Sequence, residues 1–308
     1  MRCTNPWTRL LLAATSLGLA ATMLARADGA AVPLWVVGAL AFATLATLGV
    51  GLACIGSGLF GHPILGADPE RSEDRLALTF DDGPHPVHTR AVLDLLDARG
   101  HRATFFVIGA RAARHPELLG EIVRRGHALG NHTYTHSWAT AALSVPRLVA
   151  DLQRARATLR AVGCDSRWFR PPIGIVSPPV NAAARLARLQ IVGWTGSARD
   201  GVRTHPARAL ARLLRVVRPG AILALHDAAE TGDREPVALT ILPPLLDELE
   251  KRKLRSVTID DLLAPAGCAA PVVPRPSPVR PWTRSVGSRA ALWAPARAPV
   301  VSVRRSGR

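Results

Sequence analysis

From Arg75 onward the chain alternates between short apolar runs and amphipathic stretches of helical period, and this alternation is its tightest constraint on fold. Arg75–Phe80, Ala103–Ile108, Leu189–Trp194, Ala221–Leu225 and Leu254–Ile259 read as strands. Val87–Ala98, Pro116–Arg125, Val145–Val162, Ala207–Val217 and Ile241–Arg252 read as helices. Strand and helix in turn argue for an α/β domain built on parallel strands, either open or closed into a barrel.

Two stretches ahead of this pattern do not share it. Leu10 to Ala25 carries no charge, with Arg2 and Arg9 before it and Arg26 after. It suits either a signal peptide's apolar region, with Ala25-Arg26-Ala27 as a small-residue cleavage site, or a short membrane helix. Gly29 to Gly61 is also uncharged, and Pro33 suits a first helical turn. That run is long enough to cross a hydrocarbon layer of about 30 Å with some tilt. If both segments span, the rest of the chain lies on the side of the N-terminus, and Arg2 and Arg9 favour the cytoplasmic face. If only the second spans, the domain faces outward.

The expected organisation is a membrane region over 1–61, with apolar segments at about 10–25 and 33–60, a linker over 62–74, a catalytic domain over 75–263 and a tail over 264–308. The tail holds eight prolines, eight arginines and no acid, so it is expected to be disordered: it cannot bury enough apolar surface to offset chain entropy. Its Trp282 and Trp293 are candidates for touching a membrane surface.

Net charge is +16, divided as +2 over residues 1–61, +6 over 62–263 and +8 over the tail. No stretch interleaves arginine with aromatics on a nucleic-acid-binding module, so attraction to anionic lipid or glycan is the expectation and nucleic acid is not. Cys3, Cys54, Cys164 and Cys268 are scattered, with neither metal-ligand spacing nor a disulfide framework.

Four motifs carry chemistry. Asp81 and Asp82 follow an apolar strand and precede Gly83-Pro84, which puts two carboxylates at a strand's C-terminal end, the edge where α/β folds build active sites. His132 and His136 are four apart, a spacing that on a helical turn sets both imidazoles on one face, within reach of a metal ion. Arg170 precedes two prolines, and an arginine on a stiff loop suits holding a carboxylate. His226 emerges at the end of Ala221–Leu225, where a general acid is useful. Taken singly, each also fits a plain surface turn.

In order, Thr-Phe-Asp-Asp-Gly-Pro, His-x3-His, Arg-Pro-Pro-x-Gly and Leu-His-Asp resemble the polysaccharide deacetylase domain, carbohydrate esterase family 4, over roughly Asp68 to Leu263. The resemblance implies a distorted (β/α) barrel, preceded here by one or two transmembrane helices. It implies a divalent metal, usually zinc, and hydrolysis of N-acetyl groups from an amino sugar. It further implies Asp82, His132 and His136 as metal ligands, and Asp81 as the base. His226 would be the acid, Arg170 the residue orienting the base, and Asp200 the carboxylate tuning the acid. Three positions depart from the family's habit: Ile173 and Gly201 replace common aromatics, and Ser197 a common aspartate. They alter groove walls more than the reacting centre.

The expected substrate is an N-acetylated cell-envelope polysaccharide: peptidoglycan, a chitin-like polymer or an exopolysaccharide. A lipid-linked sugar at the membrane is the enzymatic alternative. A silent, membrane-tethered glycan-binding domain is the alternative of another class.

Overall fold

The computed structural model describes residues 6–201, 204–229 and 234–264. The expected disordered tail, with Trp282 and Trp293, lies outside the described residues from 265 on. Two helices come first, α1 (Pro6–Ala27) and α2 (Leu34–Ala53). They form an antiparallel hairpin. Gly18 lies against Leu40, and the start of α1 returns to the segment just past α2, where Thr8 Oγ1 donates to Ser57 O (2.7 Å) and Arg9 Nε to Gly58 O (2.8 Å). Both are long and apolar enough to cross a membrane and almost nothing of either is buried, so neither serves as a core helix of the domain.

The chain then turns sharply at Ile55–Ser57, and Ile55 joins a core cluster with Phe169, Val176, Val180 and Ile191. Residues 62–67 are sewn onto the sheet: Ile64 bridges Val192 and Gly66 bridges Ala221. A short helix, α3 (Pro69–Ser72), leads into the alternating domain.

That domain runs β1 (Arg75–Asp81), α4 (His88–Ala98), β2 (Ala103–Val107), α5 (Gly109–Ala112), α6 (Pro116–Arg124) and β3 (Ala128–Asn131). It continues with α7 (Val145–Arg160), β4 (Trp168–Phe169), α8 (Pro178–Leu186), β5 (Gln190–Ile191), β6 (Gly196–Ser197) and α9 (Pro206–Leu214). It closes with β7 (Ile222–His226), α10 (Val237–Lys251), β8 (Arg255–Ser256) and α11 (Ile259–Leu263). The strand order is β5-β4-β3-β2-β1-β7-β6, with β8 added to β1. Every pairing between strands is parallel. The sheet curls with β5 and β6 as its two ends, which makes the expected distorted (β/α) barrel an incompletely closed one.

Strand periodicity decides what reaches the inside. On β1, Leu76, Leu78 and Phe80 pack outward with Leu93 and Leu96 of α4 and Leu245 and Leu249 of α10. Each such side chain contributes about 1.5–3 kcal/mol by burial. Successive side chains alternate faces, so Ala77, Thr79 and Asp81 point inward, where Ala77 joins Phe106, Trp168 and Ile222. On β7 the same rule sends Leu223 and Leu225 outward and His226 inward. Asp81 and His226 are register partners across β1 and β7, so two reactive side chains share one end of the barrel.

Candidate active site

β1 ends in the turn Asp81-Asp82-Gly83-Pro84, with a cis bond between Gly83 and Pro84. Asp82 takes a left-handed φ of 72°, which aspartate tolerates better than most residues. This turns its carboxylate away from the strand's alternation. Its carbonyl is held by Arg111, whose Nη1 donates to Asp82 O (2.7 Å) while Nη2 donates to Ala229 O (3.0 Å) in the loop after β7.

The two histidines do not lie on a helical turn, as their spacing suggested. His132 directly follows β3, and the loop bends through left-handed residues, Thr133 (φ 65°) and His136 (φ 50°). Side chains hold that bend. Asn131 Oδ1 accepts from Thr133 N, Thr133 Oγ1 accepts from His136 N, and Asp151 of α7 accepts from Tyr134 N (2.7 Å) and Thr135 N (3.2 Å). The result still brings both imidazoles to Asp82: His132 Nε2 lies 3.3 Å and His136 Nε2 3.1 Å from Asp82 Oδ1.

This trio has the chemistry of a cation site. Its ligand atoms all lie within 4.8 Å of one another. His132 Nδ1 sits 2.7 Å from Arg170 O, and a carbonyl only accepts, so Nδ1 carries the hydrogen and Nε2 turns its lone pair toward Asp82. Two acceptors facing each other need a proton or a metal ion between them. With protons there, burial opposes ionisation of Asp82, yet the hydrogen bonds from His132 and His136 outweigh it and hold the carboxyl well below the usual carboxylate range.

Arg170 follows β4 and is fully buried in the barrel, not presented on an exposed loop. Nη1 donates to Asp81 Oδ1 (2.7 Å) and Thr79 Oγ1 (2.8 Å), Nη2 to Gly193 O (2.8 Å), and Nε to Val192 O. The guanidinium also lies over the Phe106 ring at 4.2 Å. Burial draws its pKa down, and the charge and hydrogen bond of Asp81 oppose that.

His226 Nδ1 lies 2.7 Å from Asp200 Oδ1, and Asp200 Oδ2 accepts the His226 backbone N–H (3.2 Å). Burial alone would lower the pKa of His226, but the Asp200 charge and hydrogen bond, joined by the charges of Asp82 and Asp81, push it up to about 10. Gly201 leaves this ring uncovered on one side, since a Cβ there would lie 3.0 Å from His226 Nε2.

All seven sequence-predicted residues thus gather at the C-terminal edge of the sheet in two groups, Asp82-His132-His136 and Asp81-Arg170, with His226-Asp200 beside them. The sequence reading missed the supports. Asp151 and Arg111 carry no local signature. Asp227 is also unforeseen: it is buried, takes a hydrogen bond from Thr89 Oγ1 and fills the space where Gly83 lacks a side chain, since a Cβ there would lie 2.4 Å from Asp227 Oδ2. Burial pushes its carboxyl up to about 7. Its place directly after His226 in Leu-His-Asp was the one available signal.

Comparison with known proteins places the fold in a family. The family model described as Polysaccharide deacetylase matches residues 68–192. A peptidoglycan-N-acetylglucosamine deacetylase of Bacillus cereus is 34% identical over 62% of this chain and 89% of its own length. A chitooligosaccharide deacetylase of Bradyrhizobium is 40% identical over 51% of this chain and 72% of its own. Among solved structures, a mutant CE4 family pseudoenzyme of Bacillus anthracis with restored enzymatic activity superposes with a TM-score of 0.58 at 27% identity, over 66% of this chain and 71% of that one. With a relative above 30% identity matched over most of its length, the chain belongs to the polysaccharide deacetylase family, carbohydrate esterase family 4.

Proposed function

We propose that this hydrolase removes N-acetyl groups from amino sugars of a cell-envelope glycan, with water as the nucleophile. The relatives' activities on peptidoglycan N-acetylglucosamine and chitooligosaccharide support the substrate class. A pseudoenzyme shares the fold, so the reading rests on side chains, not on the fold. The observation that carries it is the meeting of a base candidate, an acid candidate and a three-donor cation site on one edge of the sheet.

A divalent cation, zinc by preference for two imidazoles and one carboxylate, would be held by Asp82, His132 and His136, and would polarise the acyl oxygen and acidify water. Asp81 would take the proton from the attacking water. Arg170 fixes Asp81 through Oδ1, so Oδ2 would be the oxygen that takes the proton. An amine leaves poorly unless it is protonated, and His226 supplies that proton, since it stays charged well above neutral pH. Asp200 holds Nδ1–H, which points Nε2 outward as the donating atom.

The full chain, purified with zinc, is expected to release acetate from N-acetylglucosamine oligomers. Asp82→Ala is expected to lose bound metal and at least about a hundredfold in kcat/KM, since metal and outer-sphere losses of this kind cost tenfold to hundredfold or more. Metal binding with no turnover on any acylated amino sugar would sink the enzyme reading and favour a glycan-binding domain.

A further inference from the structure

The segment just past the hairpin packs beside the loops that follow β4 and β5, where Ile55 clusters with Phe169, Val176 and Ile191. α2 ends at Ala53, and around its end Gly51 packs against Leu59 while Arg9, the first charge of α1, meets Gly58 O and His62 Nε2 (3.2 Å). A bilayer around the two helices therefore ends at about this level. Gly61 in turn lies directly against Val176 and Asn181, where a Cβ would come within 3.1 Å and 3.0 Å of them, at the start of α8. That is the loop by which the chain leaves the site after Arg170. Ile173 is three residues from Val176, hence within about 10 Å of that level.

The rim of the site is also apolar. Val87 after β1, Trp138 after β3 and Ile173 after β4 are 66%, 69% and 52% exposed. Val123 and Leu186 are the other exposed large apolar side chains beyond the hairpin among the described residues, so three of these five stand on loops at the strands' C-terminal ends. Arg199 stands exposed on that edge next to Asp200.

Charge supplies an independent argument. Two arginines, Arg2 and Arg9, precede or open α1, whereas the hairpin turn carries one, Arg26. An excess of arginine favours the cytoplasmic side, and a two-helix hairpin would return the barrel to it. A site held against the bilayer is reached most directly by a sugar that the bilayer itself carries.

Building on the deacetylase reading, we propose that the barrel rests with its site edge on the bilayer, Trp138 and Ile173 in the interface, and deacetylates an amino sugar carried on a membrane lipid. Tyr- and Trp-type side chains suit that boundary, having one apolar and one wet end. Arg199 is placed to meet a diphosphate between lipid and sugar.

The test uses the full chain with zinc in phosphatidylethanolamine–phosphatidylglycerol vesicles, with acetate as readout. One arm supplies N-acetylglucosaminyl diphosphate on a polyprenyl chain in the same vesicles, the other water-soluble N-acetylglucosamine tetramer. The expected result is a kcat/KM at least tenfold higher on the lipid-carried sugar. Trp138→Ser and Arg199→Gln should each lower that rate several-fold more than the rate on the tetramer. Equal or faster hydrolysis of the tetramer, with both variants changing the two arms alike, overturns the inference and leaves the deacetylase reading intact. No acetate from either arm overturns both.

Discussion

At the scale of residues, the pair His226–Asp200 makes the sharpest statement about pH. Burial lowers the imidazole's pKa and the Asp200 carboxylate, at 2.7 Å, more than reverses it, to about 10. A histidine whose folded pKa is raised contributes stability that is complete below about 6.5 and lost as pH rises through the folded value. With His226 as the proposed acid, the same sign governs catalysis: the alkaline limb of kcat/KM is expected to follow its deprotonation, above the ordinary imidazole range. Asp200→Asn removes the largest cause of the rise, so the alkaline limb should move toward acid by a unit or more, with about tenfold lost at pH 8.5 for each unit it passes below that pH. A pH–rate profile checks it. A loss of equal size at every pH would instead mean that Asp200 only supports the fold.

At the scale of elements, the loop after β3 shows what sequence spacing can and cannot deliver. The four-residue interval correctly brought His132 and His136 to one point, but by a bent loop with left-handed Thr133 and His136, not by a helix. A β-branched residue at positive φ has no sequence signal; it is held there by Asn131 and by Asp151, which comes from another element. The longer apolar runs were legible because burial on both faces writes itself into composition: Arg75–Phe80 and Ala221–Leu225 reappear as β1 and β7 within a residue. β3, β4 and β6 were not, being two to four residues long and, in Ala-Leu-Gly-Asn and Gly-Ser, poor in β-branched side chains. Neighbouring strands make them. The supporting role of Asp151 has a measurable consequence. Asp151→Ala frees the Tyr134 and Thr135 amides, and zinc affinity should fall by about 10–100-fold, the usual cost of removing an outer support of a metal ligand. Competition against a zinc-binding dye gives the value, and circular dichroism confirms that the fold is kept. Unchanged affinity with unchanged fold would mean that Asn131 and Thr133 suffice to set the loop.

At the scale of the whole molecule, the two apolar helices matter less as an anchor than as a constraint on where the barrel can sit. A single span followed by a free tether would let the domain search the space around the membrane. Here the chain past α2 gives no such freedom: Ile55 is packed into the domain's core, Ile64 and Gly66 bridge to the sheet, and Thr8 and Arg9 tie the start of α1 to residues 57 and 58. Both helix ends nearest the barrel are thus fixed to it, and the turn near Gly29 is the far end of the hairpin. If both helices cross, the start of α1 and the barrel lie on one face and the turn on the other. On the proposed orientation, Arg2 and Arg9 would set that face as the cytoplasmic one. Reporters that are active on one side of the membrane only, fused before Met1, inserted at Gly29 and fused after Leu263, should therefore read cytoplasm, outside and cytoplasm. A barrel on the outside with an uncleaved α1 would mean that α1 lies along the interface and only α2 spans. Thr8 and Arg9 would then have to release Ser57 and Gly58, and Thr8→Val with Arg9→Gln would leave the barrel's stability unchanged. The hairpin arrangement requires the opposite, a lower melting temperature when those two ties are cut.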